Sequence, residues 1–477
     1  MTPRRRWGWR GGLAATALTA AGLLQAGPAP DALGELPGGE ATVWATGQNA
    51  FSLPAPTLTD AERTRFAIGN SFFKRNWVEA PASTRARDGL GPHFIAKSCG
   101  ACHALDGRGA PPEARAKAPA EQPMALLLRL SVPGADAHNG PLPEPIYGEQ
   151  FNNAAIAGVQ PEGDITLRHT PVRGRFADGT PYTLQQPHYG FRHLSHGPMA
   201  RGVMVSPRIA PQLIGVGLLE AIPEAEILRN AANQSAAPGP VKGQPNRVWD
   251  AIAGREMIGR FGWKANVATL AHQTAGAFLG DIGITSRAFP KESCTPTQKD
   301  CLAAPSGAQG QQPEIDDKTL NDVVFYQSVL APPARRNARD PQVLDGQRLF
   351  AQAQCTACHR PSYPTGDAPF PELSSPALNN QTIWPYTDLL LHDMGDALAD
   401  HRPDFQANGR QWKTPPLWGI GLFKDVNGHT RLLHDGRANG VLEAILWHGG
   451  EAQASQREVL KMNRAERDAL VKFVESL

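Results

Sequence analysis

Long hydrophobic runs are scarce in this sequence. The clearest one, Leu13 to Leu24 (LAATALTAAGLL), is too short to cross a bilayer comfortably. Arg4, Arg5, Arg6 and Arg10 precede it and a small-residue stretch follows from Ala26, so residues 1–30 are expected to be a signal peptide, with a retained N-terminal anchor as the alternative. Neither sign of charge prevails: 47 basic against 45 acidic residues give a formal charge of +2, which removes any reason to expect nucleic acid or a polybasic membrane attachment. Hydrophobic residues make up only 41% of the chain, while glycine and proline number 48 and 43. That balance suits ordered loops wrapped around something apolar that is not side chain. At 477 residues, two or three domains are the expectation.

Cysteine is scarce too, and all six residues sort by spacing. Cys99-Gly-Ala-Cys102-His103 and Cys355-Thr-Ala-Cys358-His359 are both C-x-x-C-H, the attachment signature of haem c. Two thiols must reach two vinyl groups on one porphyrin edge, and the next residue must bring its imidazole under the iron. A dithiol redox pair would give no reason for a histidine after both pairs, and a four-cysteine zinc site leaves it equally idle. Two covalent haems, with His103 and His359 as axial ligands, are therefore expected. Export of the chain to the periplasm or an equivalent space fits this chemistry. There, Cys294 and Cys301, which enclose a short polar loop, read as a structural disulfide, a free thiol pair being the alternative.

Local signals suggest a mainly α fold. Thr59-Asp-Ala-Glu62 and Asn463-Arg-Ala-Glu466 are helix-capping sequences, and DGQRLFAQAQ reads as a helix running into Cys355. The stretch from Asp164 to Phe191 alternates around Asp178-Gly179 and reads as a small β insertion, placed at about 160–200. Ala210-Pro-Gln-Leu-Ile-Gly-Val-Gly-Leu218 aligns without a gap on Thr414-Pro-Pro-Leu-Trp-Gly-Ile-Gly-Leu422, and Lys264-Ala-Asn266 stands opposite Arg437-Ala-Asn439. An internal repeat of this kind implies two tandem, duplicated cytochrome c-like domains. The expected boundaries are 45–325, carrying the β insertion and the disulfide loop, and 326–477.

Several phrases carry a closer resemblance: RNWVEAPASTRARDGLGP, SPRIAPQLIGVGLLEAIPE, GRFGWKAN, GAFLGDIGITS, PYTDLLLHDMG, WKTPPLWGIGL and LHDGRANGVLEAILWHGGEA. Through them the chain resembles the di-haem oxidoreductase family ("predicted thiol oxidoreductase"), within the bacterial di-haem cytochrome c peroxidase superfamily. The resemblance implies a tryptophan between the haems and a pocket amide ten residues later, here Trp263 and Gln273. The acid that assists peroxide cleavage in the peroxidases would fall at Gly283, and the nearest carboxylate is Asp281. The relay-haem methionine that follows H-D-G at fourteen residues is replaced by His448, which implies a bis-histidine His359/His448 iron of lower potential.

The internal repeat sets Ala277 or Phe278 where the second half has His448, so the first haem is left as the reactive one. Loop histidines His138, His188, His193 and His196 are alternative ligands for it. Met394 is a lesser candidate for the second haem, and Arg437 is a candidate for a propionate. Glu220 and Glu224 read as helix-end residues. Calcium, which the peroxidases hold between their domains, is possible but not favoured, because His429 and Arg431 replace two of its ligand positions.

The resemblance implies reduction of hydrogen peroxide, with a dioxygen-using haem oxygenase or a non-catalytic electron-transfer cytochrome as alternatives. The implied partner is a small redox protein or a quinol-linked donor or acceptor, with a link to periplasmic iron uptake. The thiol label is set aside, because haem accounts for four of the six cysteines.

Overall fold

The computed structural model describes residues 1–2, 33–112, 125–310 and 312–477. All but the first two residues of the expected signal peptide lie outside that set. Among the described residues, no helix is long and apolar enough to cross a membrane.

The helices that frame the structure are α1 (Asp60–Lys74), α2 (Cys99–Cys102), α3 (Leu270–Ala277), α4 (Asp317–Ser328), α5 (Pro341–Gln352), α6 (Val441–Leu446) and α7 (Arg464–Ser476). Capping fixes where several of them start. Thr59 and Glu62 exchange both bonds of a capping box at α1, and Asn463 and Glu466 do so at α7. Asp316 and Asp340 cap α4 and α5 by accepting from Thr319 N and Gln342 N.

These helices pack as two similar crossed pairs, α1 on α4 and α5 on α7. Each crossing is set by one glycine. A Cβ on Gly69 would lie 2.1 Å from the Asp322 carbonyl oxygen, and one on Gly346 would lie 2.0 Å from that of Ala469. Only a bare backbone allows either approach. An aromatic ring on each first helix then reaches its haem motif: Phe73 lies 6.2 Å from the His103 ring and Phe350 lies 6.1 Å from the His359 ring, centroid to centroid.

The repeated P-x-L-x-G-x-G-L segments do the same job twice. Gly215 and Gly419 both adopt positive φ, at 69° and 74°, and their N–H groups donate to Leu330 and Leu477, just beyond α4 and α7. The second glycine of each motif sits on the end of the same helix, where a Cβ would lie 2.0 Å from the Ser328 or Glu475 carbonyl oxygen. The two segments also meet each other: Gly215 faces the Trp418 ring and Gly419 faces Ile214. One apolar core runs through both halves.

The expectation of a mainly α fold is overturned. Among the described residues 31% are helix and 19% strand, a mixed architecture. Most of the strand content comes from four elements, β1 (Leu126–Ala135), β2 (Asp164–Arg175), β3 (Pro181–Arg192) and β4 (Met204–Ile209). β1 pairs antiparallel with β4, from Leu126↔Ile209 to Ser131↔Met204. That ladder closes across more than seventy residues of chain, so no local signal announces it. Two-residue strand pairs pin the loops elsewhere.

β2 and β3 form a twelve-rung hairpin from Asp164↔Arg192 to Arg175↔Pro181. Its turn is closed by the Thr180 N–H donating to the Asp178 carboxylate, with Gly179 at φ 85°. The tip rests on the second half. Phe176 is buried under the Arg467 guanidinium at 4.0 Å, Asp178 pairs with Arg467 at 2.9 Å, and the Ala177 N–H donates to the Leu460 carbonyl. Burying one phenyl ring this way is worth about 1.5–3 kcal/mol.

Candidate functional site

Both cysteine motifs form a single tight turn that returns the histidine N–H to the first cysteine carbonyl, at 2.9 Å in each. The four motif thiols are unbonded to one another, whereas Cys294 and Cys301 are joined, with Cα atoms 5.7 Å apart. Burial pushes the Cys99 and Cys355 thiols up to about 12. Such thiols are poor nucleophiles, the opposite of what dithiol exchange requires.

Three histidines share one orientation device. The Nδ1–H of His103 donates to the Pro211 carbonyl (2.7 Å), that of His359 to Tyr386 (2.9 Å) and that of His448 to Ala444 (2.7 Å). A carbonyl can only accept, so each ring keeps its proton on Nδ1 and leaves the Nε2 lone pair for a metal. Burial favours the neutral ring in all three and pushes His359 down to about 4, with nearby His448 adding to the effect.

Cys355, Cys358, His359 and His448 line one cavity of ≈ 240 Å³. Arg108 and Arg260 line it too. Both are buried, and neither has a carboxylate in salt-bridge range among the described residues. Their bonds go to main-chain carbonyls: Arg108 to Arg431 and Leu433, and Arg260 to Leu219, Glu220 and Ile222. Burial pulls the Arg108 guanidinium down to about 10, against the pull of Asp435. Glu220 and Glu224 act on Arg260 without direct ion-pair contact, and two buried guanidiniums so placed suit the propionates of a haem, as the thiol and imidazole set suits its attachment and ligation. The residues present therefore fit the group. Met394 is also on the wall. Arg437, the sequence candidate for a propionate, instead forks onto Asp435 at 2.8–3.1 Å.

Trp263 connects the two motifs. It lines that same cavity, and its Nε1–H donates to the Ile209 carbonyl (2.8 Å), two residues before the carbonyl that holds His103. The Ile209 N–H donates in turn to the His434 carbonyl. Arg108, five residues after His103, lies 5.0 Å over the Trp263 ring.

His434 stacks on Trp412 with centroids 3.7 Å apart, and burial pushes it down to about 3. Asp435, Arg437, Asp400 and Lys264 face it. An unfolded histidine takes its proton near 6.5, but this one refuses it until about 3. The stability that His434 contributes above pH 6.5 is therefore lost as the pH falls toward 3. Urea midpoints of the haem-loaded protein are expected to fall between pH 7 and about pH 4, and less steeply in His434→Gln. Parallel acid limbs in the two proteins would refute this role.

Around the first motif the structure brings together Phe278 and Asp281. Phe278 is fully buried and edge-on to Trp77 at 5.5 Å. Beyond α3 the backbone widens into a π-helical turn over Phe278–Ile282, a device often found at functional sites. The Asp281 carbonyl accepts from Ile95 and Ala96, its carboxylate accepts from Gln150 (3.0 Å), and its charge acts on Cys99, Cys102 and His103. Gly283 cannot carry the peroxidase acid here: a Cβ there would lie 2.6 Å from both Gly91 Cα and the His93 carbonyl oxygen. Gln273 is half-buried on α3, and its side-chain amide makes no hydrogen bond among the described residues. Glu220, pushed up to about 7 by burial, accepts from the first N–H of α3 (Leu270, 2.7 Å) and so holds that helix in place.

Three of the four alternative histidine ligands are engaged elsewhere, and the buried Nε2 of His196 has no hydrogen-bond partner among the described residues. His188 lies in strand β3, not a loop, and bonds Thr170 at 2.9 Å. His138 stacks on Trp249, His193 pairs with Asp164, and His196 packs against His93 and Tyr147.

Among comparisons with known proteins, the family model described as "Di-haem oxidoreductase, putative peroxidase" matches residues 33–164 and 193–477. The unmatched interval is the β2–β3 hairpin. No curated protein and no solved structure gives a significant match. With the match covering most of its length, the chain belongs to the di-haem oxidoreductase family.

Proposed function

We propose that this chain is a periplasmic di-haem c-type oxidoreductase in which a bis-histidine haem in residues 326–477 relays electrons to a reactive haem in residues 45–325, where hydrogen peroxide is reduced. The observation that carries the reading is the shared cavity of Cys355, Cys358, His359 and His448, with both imidazoles held through Nδ1. Cys355, Cys358, His359 and His448 would hold a haem supplying reversible one-electron transfer, and Cys99, Cys102 and His103 one supplying peroxide chemistry.

The protein's own part is orientation and proton handling. The repeat sets Ala277 or Phe278 where the other half has His448, so the chain would offer no imidazole from that position to the first haem. Phe278 and Trp77 exclude water from the pocket. The Gln273 amide orients peroxide, and the Asp281 carboxylate, fixed by Gln150, accepts and returns a proton. Trp263 stands between the two centres. Arg108 and Arg260 hold propionates of the second haem.

Electron paramagnetic resonance of the oxidised holoprotein tests this. One high-spin and one low-spin bis-histidine signal are expected, with only the high-spin signal consumed by peroxide. Two low-spin signals that peroxide leaves unchanged, in oxidised and half-reduced protein, would reduce the chain to an electron carrier.

A further inference from the structure

Beneath His103 lies a tyrosine that the peroxide reading does not use. Tyr326, on α4, is fully buried, and its hydroxyl donates to Asp106 Oδ1 at 2.5 Å. Asp106 is itself fully buried. Its other oxygen accepts from the Ser52 hydroxyl at 2.5 Å and meets the Lys74 ammonium at 3.2 Å. One carboxyl group thus takes the phenol, the Ser52 hydroxyl and the Lys74 ammonium. The Phe73 ring stands between, 5.2 Å from the Tyr326 ring and 6.2 Å from His103.

Two further features set this pair apart from ordinary core packing. Leu105 and Asp106 both take positive φ, 53° and 61°, a conformation that strains a non-glycine residue. That strain turns the carboxylate inward, three residues past the axial histidine. The second half offers the comparison: Phe473 sits 5.2 Å from Phe350 as Tyr326 sits from Phe73. The packing is the same, but the hydroxyl and its carboxylate are on the first-haem side.

We infer that Tyr326 is a redox-active tyrosine that holds one oxidising equivalent delivered by peroxide at the first haem, with Asp106 as its proton acceptor. The inference rests on the peroxide reading above. Oxidation makes a phenol O–H strongly acidic, so a buried tyrosine can give up an electron only if its proton has somewhere to go. Here the electron passes to the peroxide-oxidised haem centre, the phenolic O–H breaks, and the proton forms a new O–H on Asp106 Oδ1. A neutral phenoxyl radical remains. An electron arriving by way of the second haem, with the proton returning from Asp106, restores the phenol. Burial keeps the radical from external reductants while that electron is awaited.

Freeze-quench electron paramagnetic resonance of the haem-loaded full chain, after one equivalent of peroxide, tests the assignment. An organic radical signal is expected, narrowed when the protein is made with ring-deuterated tyrosine. It should fall at least tenfold in Tyr326→Phe, whose haem spectrum should still respond to peroxide. A haem that reacts with peroxide but gives no radical, an unnarrowed one, or one undiminished in Tyr326→Phe would overturn this inference and leave the peroxide reading standing. Absence of a narrowed radical in the labelled wild-type protein overturns the inference even if the variant does not fold. A haem spectrum that peroxide leaves untouched would overturn both.

Discussion

His448→Met is expected to raise the midpoint potential of one haem by about 0.2 V while the other stays in place, a part of the ≈ 0.8 V range that axial ligation commands. Two physical terms act in the same direction. Thioether sulfur donates less than imidazole to ferric iron. The substitution also removes the Nδ1–H bond to Ala444, which makes the present imidazole a better donor. His448→Ala, with nothing to replace the ring, should turn the low-spin signal of that haem high-spin, and added imidazole should reverse the change. Potentiometric titration with optical detection reads the first variant, and resonance spectra read the second. Unchanged potentials and an unchanged low-spin signal in both would remove His448 from the iron and turn attention to Met394 on the same wall.

Lys264→Met should destabilise the holoprotein by about 3–5 kcal/mol, the usual cost of leaving half of a buried ion pair behind. Lys264 is wholly buried, and its ammonium donates to Asp400 (2.8 Å) and to the Arg402 and Asn408 carbonyls (both 2.9 Å). It also lies 4.5 Å over the Trp412 ring. Burial pulls it down to about 8 against the pull of Asp400. Methionine fills the volume but leaves the Asp400 carboxylate, 1% exposed, without its cation. Three hydrogen bonds that close the 400–408 turn disappear with it. Since Trp412 carries the stack on His434, the second haem environment should change as well. Urea unfolding followed at the haem absorbance band measures the loss, and a midpoint within error of the wild type would refute it.

What could be read from the sequence follows from how local each constraint is. The C-x-x-C-H motifs encode a covalent reach within five residues, and the boxes at Thr59 and Asn463 encode hydrogen bonds within four, so both are visible without the fold. The hairpin turn at Asp178-Gly179 is equally local. Its docking on Arg467 is not, because that contact joins positions almost three hundred residues apart. The mixed architecture was hidden for the same reason: β1 finds its partner β4 only after the long hairpin has been built, and the two-residue pairs carry too few residues to leave a pattern.

The haem pocket shows the same divide. Arg437 drew notice because it sits in a motif, yet it is occupied by Asp435 two residues away. Arg108 stands in no recognisable phrase, and Arg260, although it lies within GRFGWKAN, has no role that the phrase announces; both reach the cavity through the fold. Lys264 occupies a motif position, but its partner Asp400 is 136 residues distant. Gly283 stands where the peroxidases carry an acid. Its contact with Gly91 and His93 gives the steric reason that no side chain fits there.

The meeting of the two repeated glycine segments bears on ancestry. Ile214 and Trp418 occupy one position of the repeat, and Gly215 and Gly419 the next. The larger residue of each copy covers the glycine of the other. When position i of one copy touches position j of its twin and j touches i, the contact has the form of an isologous, twofold interface. A single-haem ancestor carrying this segment would already have been complementary to itself. Joining two such copies end to end would have turned a concentration-dependent homodimer into a permanent pair, after which the two sides were free to diverge.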